Sequence, residues 1–178
     1  MCREVVQRFW QRSSLQDEAL REALVEAQLV NRKKDVIFLV DTRVFTDPGR
    51  GANRRHCGTH DDILNGFVYH RKFNRFLHVL ASIHTYIATR YNPNSEYVLA
   101  FYCKSGRHRS VAASTIAAHL SECTPDLPSP TNTFHACARY WYMLCGGSQQ
   151  CARCHEQNHA RNAALARARQ AWSQLFAS

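Results

Sequence analysis

Two stretches of the chain carry almost unbroken apolar runs. Asp35–Asp41 reads DVIFLVD and Tyr97–Tyr102 reads YVLAFY. Both are apolar through the centre and rich in β-branched or aromatic residues, which predicts strands buried on both faces. Elsewhere the apolar positions recur at three and four. Phe73, Phe76, Leu77, Leu80, Ile83, His84 and Ile87 form one such stripe, the signature of an amphipathic helix. His84 lies on that stripe and reads as a satisfied core residue rather than a ligand. Val111–Leu120 is Ala-rich with neither Gly nor Pro, which predicts a helix ending near Glu122.

The remaining segments fill in the order of elements. Met1–Lys34 reads as a helix, with Ser14 and Asp17 as a capping pair ahead of Leu20, Leu24 and Ala27. Thr59–Gly66 reads as a short helix with Thr59 as N-cap and Asp61 and Asp62 in its first turn. Asn92–Ser95 forms a turn, and CTPDLPSPT is a Pro-rich connection. Thr133–Trp141 predicts a third strand. Asn162–Phe176 predicts a final helix that docks through Leu165, Trp172, Leu175 and Phe176. The expected fold is α/β: a small, mostly parallel sheet flanked by helices, with extra N- and C-terminal helices. Residues 1–34 form the helical extension and residues 35–142 the α/β domain. Residues 143–178 carry a Cys/His cluster and a helix packed on that same domain.

The chemistry concentrates where the second strand meets its helix. CKSGRHRS, Cys103–Ser110, is a tight strand-to-helix turn. It aims backbone N–H groups at one point, at the positive end of a helix dipole. Gly106 relieves the steric limit on the backbone, while Lys104, Arg107, His108 and Arg109 add positive charge or donors. An oxyanion is the expected ligand, phosphate first. Asp41, Thr42 and Arg43 leave the first strand at the kind of carboxyl end where open α/β sheets bind ligands. The loop that follows, VFTDPGRGANRRHCGTH, is long and basic, which favours a binding role over a plain surface connection.

Composition sharpens this picture. The 178 residues carry a formal charge of +9, with 45% hydrophobic residues, which suits a folded globular chain. No apolar run approaches the ~20 residues that span a membrane. MCREVVQRFWQR lacks a signal-peptide core, so a cytoplasmic location is expected. The basic residues gather around the motif-bearing core, among them Arg43, Arg50, Arg54, Arg55, Arg71, Lys72 and Arg75. That distribution points to a polyanion partner, RNA first, against the blander reading of a solvated basic surface.

Eight cysteines in such a chain suggest metal binding or free thiols rather than disulfides. Cys145, Cys151, Cys154, His155 and His159 fall as C-x5-C-x2-C-H-x3-H. The expected ligands of a closed structural zinc site are Cys145, Cys151 and Cys154, with His155 fourth. Unrelated free cysteines are the competing reading. No other cofactor is expected in the core.

Two families share the central loop. Cys103, Gly106, Arg109 and Ser110 match C-x-x-G-x-x-R-S and so resemble the phosphate loop of cysteine-dependent phosphatases. The wider order is a strand ending in DTRVFTDP, a Gly-Thr turn, two helical segments, a strand, then C-x-x-G-x-H-R-S-V-A. This order resembles the C-terminal domain of the RapZ RNase-adaptor family over roughly Asp35–Trp141. That resemblance implies a binding module for a phosphorylated small molecule such as glucosamine-6-phosphate, together with RNA. A second copy of the chain is a further candidate partner. By position, Cys103, Lys104, Ser105, Gly106, Arg107, His108, Arg109 and Ser110 would form the anion pocket, with His70 opposite. Arg43, Arg54, Arg55, His135 and Arg139 would face RNA. The chain departs from the family in having Lys-Ser-Gly after the cysteine, where small Thr-Gly-Gly-like residues are usual. The family's N-terminal nucleotide motif is absent.

The resemblance to phosphatases implies an alternative. Cys103 would attack phosphorus, Arg109 would clamp the phosphate, and Asp41 or Asp47 would protonate the leaving oxygen. A thiol at a helix N-terminus beside cations is acidified, but no local motif marks the acid, and Tyr102 stands where phosphatases usually carry His or Val. A binding module is therefore the expectation, not an enzyme.

Overall fold

The computed structural model describes residues 36–47, 51–90, 97–104, 106–124, 133, 135, 151 and 159–177. In chain order these form strand β1 (Val36–Asp41), a 3-10 turn (Gly51–Arg55), helices α1 (Asp61–Val68) and α2 (Phe73–Arg90), strand β2 (Tyr97–Tyr102), and helices α3 (Arg109–Glu122) and α4 (His159–Phe176). β1 and β2 pair in parallel, and helices flank them. The fold is thus mixed α/β, as expected. A parallel pair needs a crossover between its strands, and α1 and α2 lie in that connection. No described helix is long and apolar enough to cross a membrane.

The chain forms two compact units. In the first, the described residues are 36–41, 78–90 and 97–100. Phe38 gathers it: its ring meets Tyr86 edge-on at 6.1 Å and Tyr97 at 6.3 Å. β1 alternates, with Phe38 and Val40 buried while Ile37 and Leu39 keep part of their surface. All six residues of β2 also stay partly exposed. The expectation of strands buried on both faces is therefore corrected. Among the described residues each strand has one neighbour, and an apolar run does not by itself place cover on both faces. The helical stripe holds in full. Phe73, Phe76, Leu77, Leu80, Ile83, His84 and Ile87 are all buried.

In the second unit α1, α3 and α4 pack on one another. Phe67 of α1 stacks on Phe45 at 4.0 Å, and Phe76 meets Phe45, Phe67 and Phe101 through its ring. α4 begins earlier than predicted and docks mainly through small side chains. Ala164, Ala168 and Trp172, spaced by four, are its buried residues, and the Trp172 indole N–H donates to Thr124 Oγ1 at 3.2 Å. Leu165 and Leu175 are half-buried. Phe176 is 63% exposed, against expectation. Its ring rests on Trp172 instead, at 5.1 Å, because the Ala face already brings the helix close.

Two boundaries also shift. α1 starts at Asp61 with His60 as its N-cap, not Thr59, whose hydroxyl lies 2.9 Å from Cys57 Sγ. Of the predicted third strand, Thr133 and His135 are described, and neither is in a strand. Its other residues and the helix of residues 1–34 lie outside the described residues.

Burial holds the His84 imidazole down to a pKa of about 4, against its ordinary 6.5. An unfolded chain protonates this ring first as pH falls, so its contribution is complete above pH 6.5 and lost on the way down through about 4. The loss is on the order of 3 kcal/mol. Urea midpoints of the wild type should fall between pH 7 and pH 4.5, and less steeply for His84→Gln. Parallel slopes in the two proteins would contradict this.

Candidate functional site

β2 ends at Tyr102 and α3 begins at Arg109, so the intervening turn is shorter than the sequence suggests. Arg109 and Ser110 already belong to the helix. Gly106 makes the turn with φ of 62°, a left-handed conformation that glycine adopts without a Cβ penalty. Ser110 in the first turn of α3 brings its Oγ to 3.3 Å from Cys103 Sγ at the start of the loop. The two ends of the motif thus meet across the helix N-terminus. Lys104 is exposed and Arg107 half-buried.

His108 is the best-anchored side chain of the loop. It is 2% exposed. Its Nδ1 lies 3.1 Å from Asp47 Oδ1, and its Nε2 lies 3.0 Å from the His56 carbonyl and 3.2 Å from Arg107 Nε. Burial lowers its pKa below 6.5, against a raising effect from the Asp47 hydrogen bond, so the ring is neutral near pH 7. A neutral ring donates from one nitrogen only. Donation from Nε2 to the His56 carbonyl would set the bare Nδ1 against the Asp47 carboxylate, acceptor to acceptor. Donation from Nδ1 to Asp47 instead leaves Nε2 to accept from Arg107 Nε. The second arrangement makes two hydrogen bonds against one, at the cost of setting the bare Nε2 against the His56 carbonyl, and it aligns Asp47, His108 and Arg107 in one chain of hydrogen bonds.

Arg109 turns inward. It is 9% exposed, and its Nη1 donates to the carbonyls of Phe45 at 3.0 Å and Arg43 at 3.3 Å. Its Nε is buried and has no hydrogen-bond partner among the described residues. Such an orphan donor is costly unless an acceptor arrives. The loop after β1 is therefore tied to α3 at one edge of the guanidinium.

The same loop is fixed at both ends of its turn. Thr42 donates from N and Oγ1 to the Tyr102 carbonyl at 3.0 and 2.6 Å. His70 lies beside Thr46, with Nε2 at 3.3 Å from both Thr46 N and Oγ1, while Nδ1 accepts from Lys72 N at 3.2 Å. Burial, then Lys72 and Arg71, lower the His70 pKa. This histidine thus holds the Asp47-bearing loop. Asp41 closes β1 and is half-buried. Asp47, the other candidate acid, is engaged with His108.

Of the predicted RNA-facing residues, Arg43, Arg54 and Arg55 are exposed, and Arg43 lies over the Tyr102 ring at 5.2 Å. His135 is half-buried, and burial lowers its pKa. Ser105, Arg139, Cys145, Cys154 and His155 lie outside the described residues. Cys151 is described, and its Sγ lies 3.6 Å from His56 Nδ1.

The sequence reading misses His56, and it takes Gly58 only as part of a Gly-Thr turn, without its packing behind the loop. Gly58 N donates to the Arg107 carbonyl at 2.8 Å. A Cβ on Gly58 would collide with the His108 carbonyl, lie 2.5 Å from Ala112 N and 2.7 Å from Val111 Cβ. The only local signal is the H-C-G-T-H sequence, with two histidines four apart around a glycine.

A family model described as the RapZ C-terminal domain matches residues 28–130 of the chain. No curated protein and no solved structure matches it.

Gly58→Ala should destabilise by about 3 kcal/mol, the upper end for overpacking, because two of the three clashing groups are backbone. A urea midpoint within error of the wild type would show that the loop and α3 separate freely.

Proposed function

The chain belongs to the RapZ C-terminal domain family, and from that membership we propose that it is a ligand-sensing binding module. Its pocket is the Cys103–Ser110 turn, its ligand a phosphorylated sugar of the glucosamine-6-phosphate kind, and its macromolecular partner an RNA. The observation that carries the pocket is the buried Arg109 Nε without a partner among the described residues. It stands at the N-terminus of α3, where amides and helix dipole favour an anion. Arg107, oriented by His108, supplies a second cation, and His70 steadies the facing loop through Thr46. Arg43, Arg54 and Arg55, exposed on that loop and its 3-10 turn, offer phosphate contacts for RNA, and His135 and Arg139 are added to the RNA-contacting set from their place in the sequence alone.

The phosphatase alternative has one observation in its favour. Ser110 Oγ at 3.3 Å from Cys103 Sγ is placed to donate to a thiolate. Against it, Asp47 is already held by His108 Nδ1, which engages one of the two candidate acids away from leaving-group protonation. Binding without turnover is the better-supported chemistry.

At a concentration of glucosamine-6-phosphate near a hundredfold above Kd, the wild type should gain about 2.7 kcal/mol against unfolding. Arg109→Lys should lose most of this protection, and no variant or wild type should hydrolyse an aryl phosphate. Turnover abolished by both Cys103→Ser and Arg109→Ala would instead make Cys103 a nucleophile.

For RNA, each of Arg54→Ala and Arg55→Ala should lower the slope of log affinity against log salt by about 0.7–0.9. Equal slopes in wild type and the double variant would remove these residues from the interface.

A further inference from the structure

We propose that the chain holds one zinc-type divalent ion on His56, His60 and Cys151. The three residues each offer a ligating atom, and all these atoms lie within 4.8 Å of one another. At Zn–S of about 2.3 Å and Zn–N of about 2.0–2.1 Å, tetrahedral angles set sulfur and nitrogen about 3.6 Å apart. Cys151 Sγ and His56 Nδ1 are separated by 3.6 Å. The two imidazole rings are close neighbours, with centroids 4.0 Å apart and planes inclined by 35°.

The shell behind His60 is also that of a metal ligand. His60 is 1% exposed, and its Nδ1 lies 3.1 Å from Asp61 Oδ1, itself buried. The Asp62 amide lies 2.8 Å from that same oxygen and 3.3 Å from Nδ1. The shorter contact assigns the amide to Asp61, so Nδ1–H donates to the carboxylate. That donation fixes the ring and directs the Nε2 lone pair away from Asp61, the carboxylate–histidine–metal arrangement. Two imidazoles and a thiolate favour zinc over magnesium or calcium, which prefer oxygen. Binding would deprotonate the Cys151 thiol and release its proton to solvent. A fourth position is open to water or another donor.

The site joins parts of the chain that are 95 residues apart. Cys151 lies beyond the span matched by the family, residues 28–130, whereas His56 lies within it and its carbonyl faces His108 at 3.0 Å. The ion would therefore staple the added C-terminal segment to the loop that supports the anion turn. Of the cysteine cluster expected from spacing, Cys151 is the described member, and it takes part. The other two ligands, His56 and His60, come from the H-C-G-T-H sequence ahead of α1.

The test is metal content of the purified full-length chain, followed by the absorption spectrum after replacement with Co²⁺. About one ion per chain is expected, with thiolate-to-cobalt charge transfer and tetrahedral d–d bands. His56→Gln, His60→Gln and Cys151→Ser should each lose the ion, and Asp61→Asn should weaken it about 10–100-fold. Circular dichroism of each variant separates loss of metal from loss of fold, and chelation of the wild type should lower Tm reversibly on zinc return. Metal retained in both histidine variants but lost in Cys151→Ser would place the ion on the C-terminal cysteines alone and overturn the proposal. A metal-free wild type that takes up no zinc would overturn it as well.

Discussion

The absence of a side chain at position 58 is the constraint on which the second unit turns. Gly58 lies so close to the first turn of α3 that even a Cβ would strike the His108 carbonyl, and its amide holds the Arg107 carbonyl. This contact fixes the loop before α1 against the turn that follows β2. It sets His56 beside His108, and His108 in turn links Asp47 to Arg107. A bulkier residue would push the two segments apart and break each of these contacts at once.

With the backbone held in this way, a cluster of cations becomes tolerable. Lys104, Arg107 and Arg109 stand close in sequence, and like charges at short range repel. They are dispersed by different partners. Lys104 remains in solvent, Arg107 is engaged by a neutral His108, and Arg109 satisfies one nitrogen on two carbonyls of the neighbouring loop. The Arg109 Nε remains buried without an acceptor among the described residues. An arrangement of this kind would meet the proposed anion with its donors already ordered, which lowers the ordering cost of binding. It does not by itself supply the acid that phosphoryl hydrolysis needs.

The residues that extend the chain past the family span add a different element. α4 lays Ala164, Ala168 and Trp172 onto the second unit, where it packs on α1 and α3. Cys151, ahead of that helix, reaches the imidazole of His56. The added segment thus touches the same loop that braces the turn between β2 and α3. Packing and the proposed ion would act on one segment, and a change at either would reach the turn between β2 and α3 through His56 and His108.

By itself the sequence determined the elements whose signal is local. The stripe from Phe73 to Ile87, the strands at Val36 and Tyr97, and the strand–turn–helix motif with its glycine at Gly106 are all written in periodicity, spacing and backbone freedom. The family order of elements was legible for the same reason. Tertiary structure alone decided what each polar side chain meets. Arg109 faces carbonyls from residues 64 and 66 positions earlier, His108 meets Asp47 from 61 positions earlier, and His56 meets Cys151 from 95 positions later. It also decided that β2 stays half-exposed and that Phe176 lies on the surface while Ala164 and Ala168 are buried. The reason is physical: propensity and period act over a few neighbouring residues, whereas burial and hydrogen-bond partners depend on which distant segments close packing brings together.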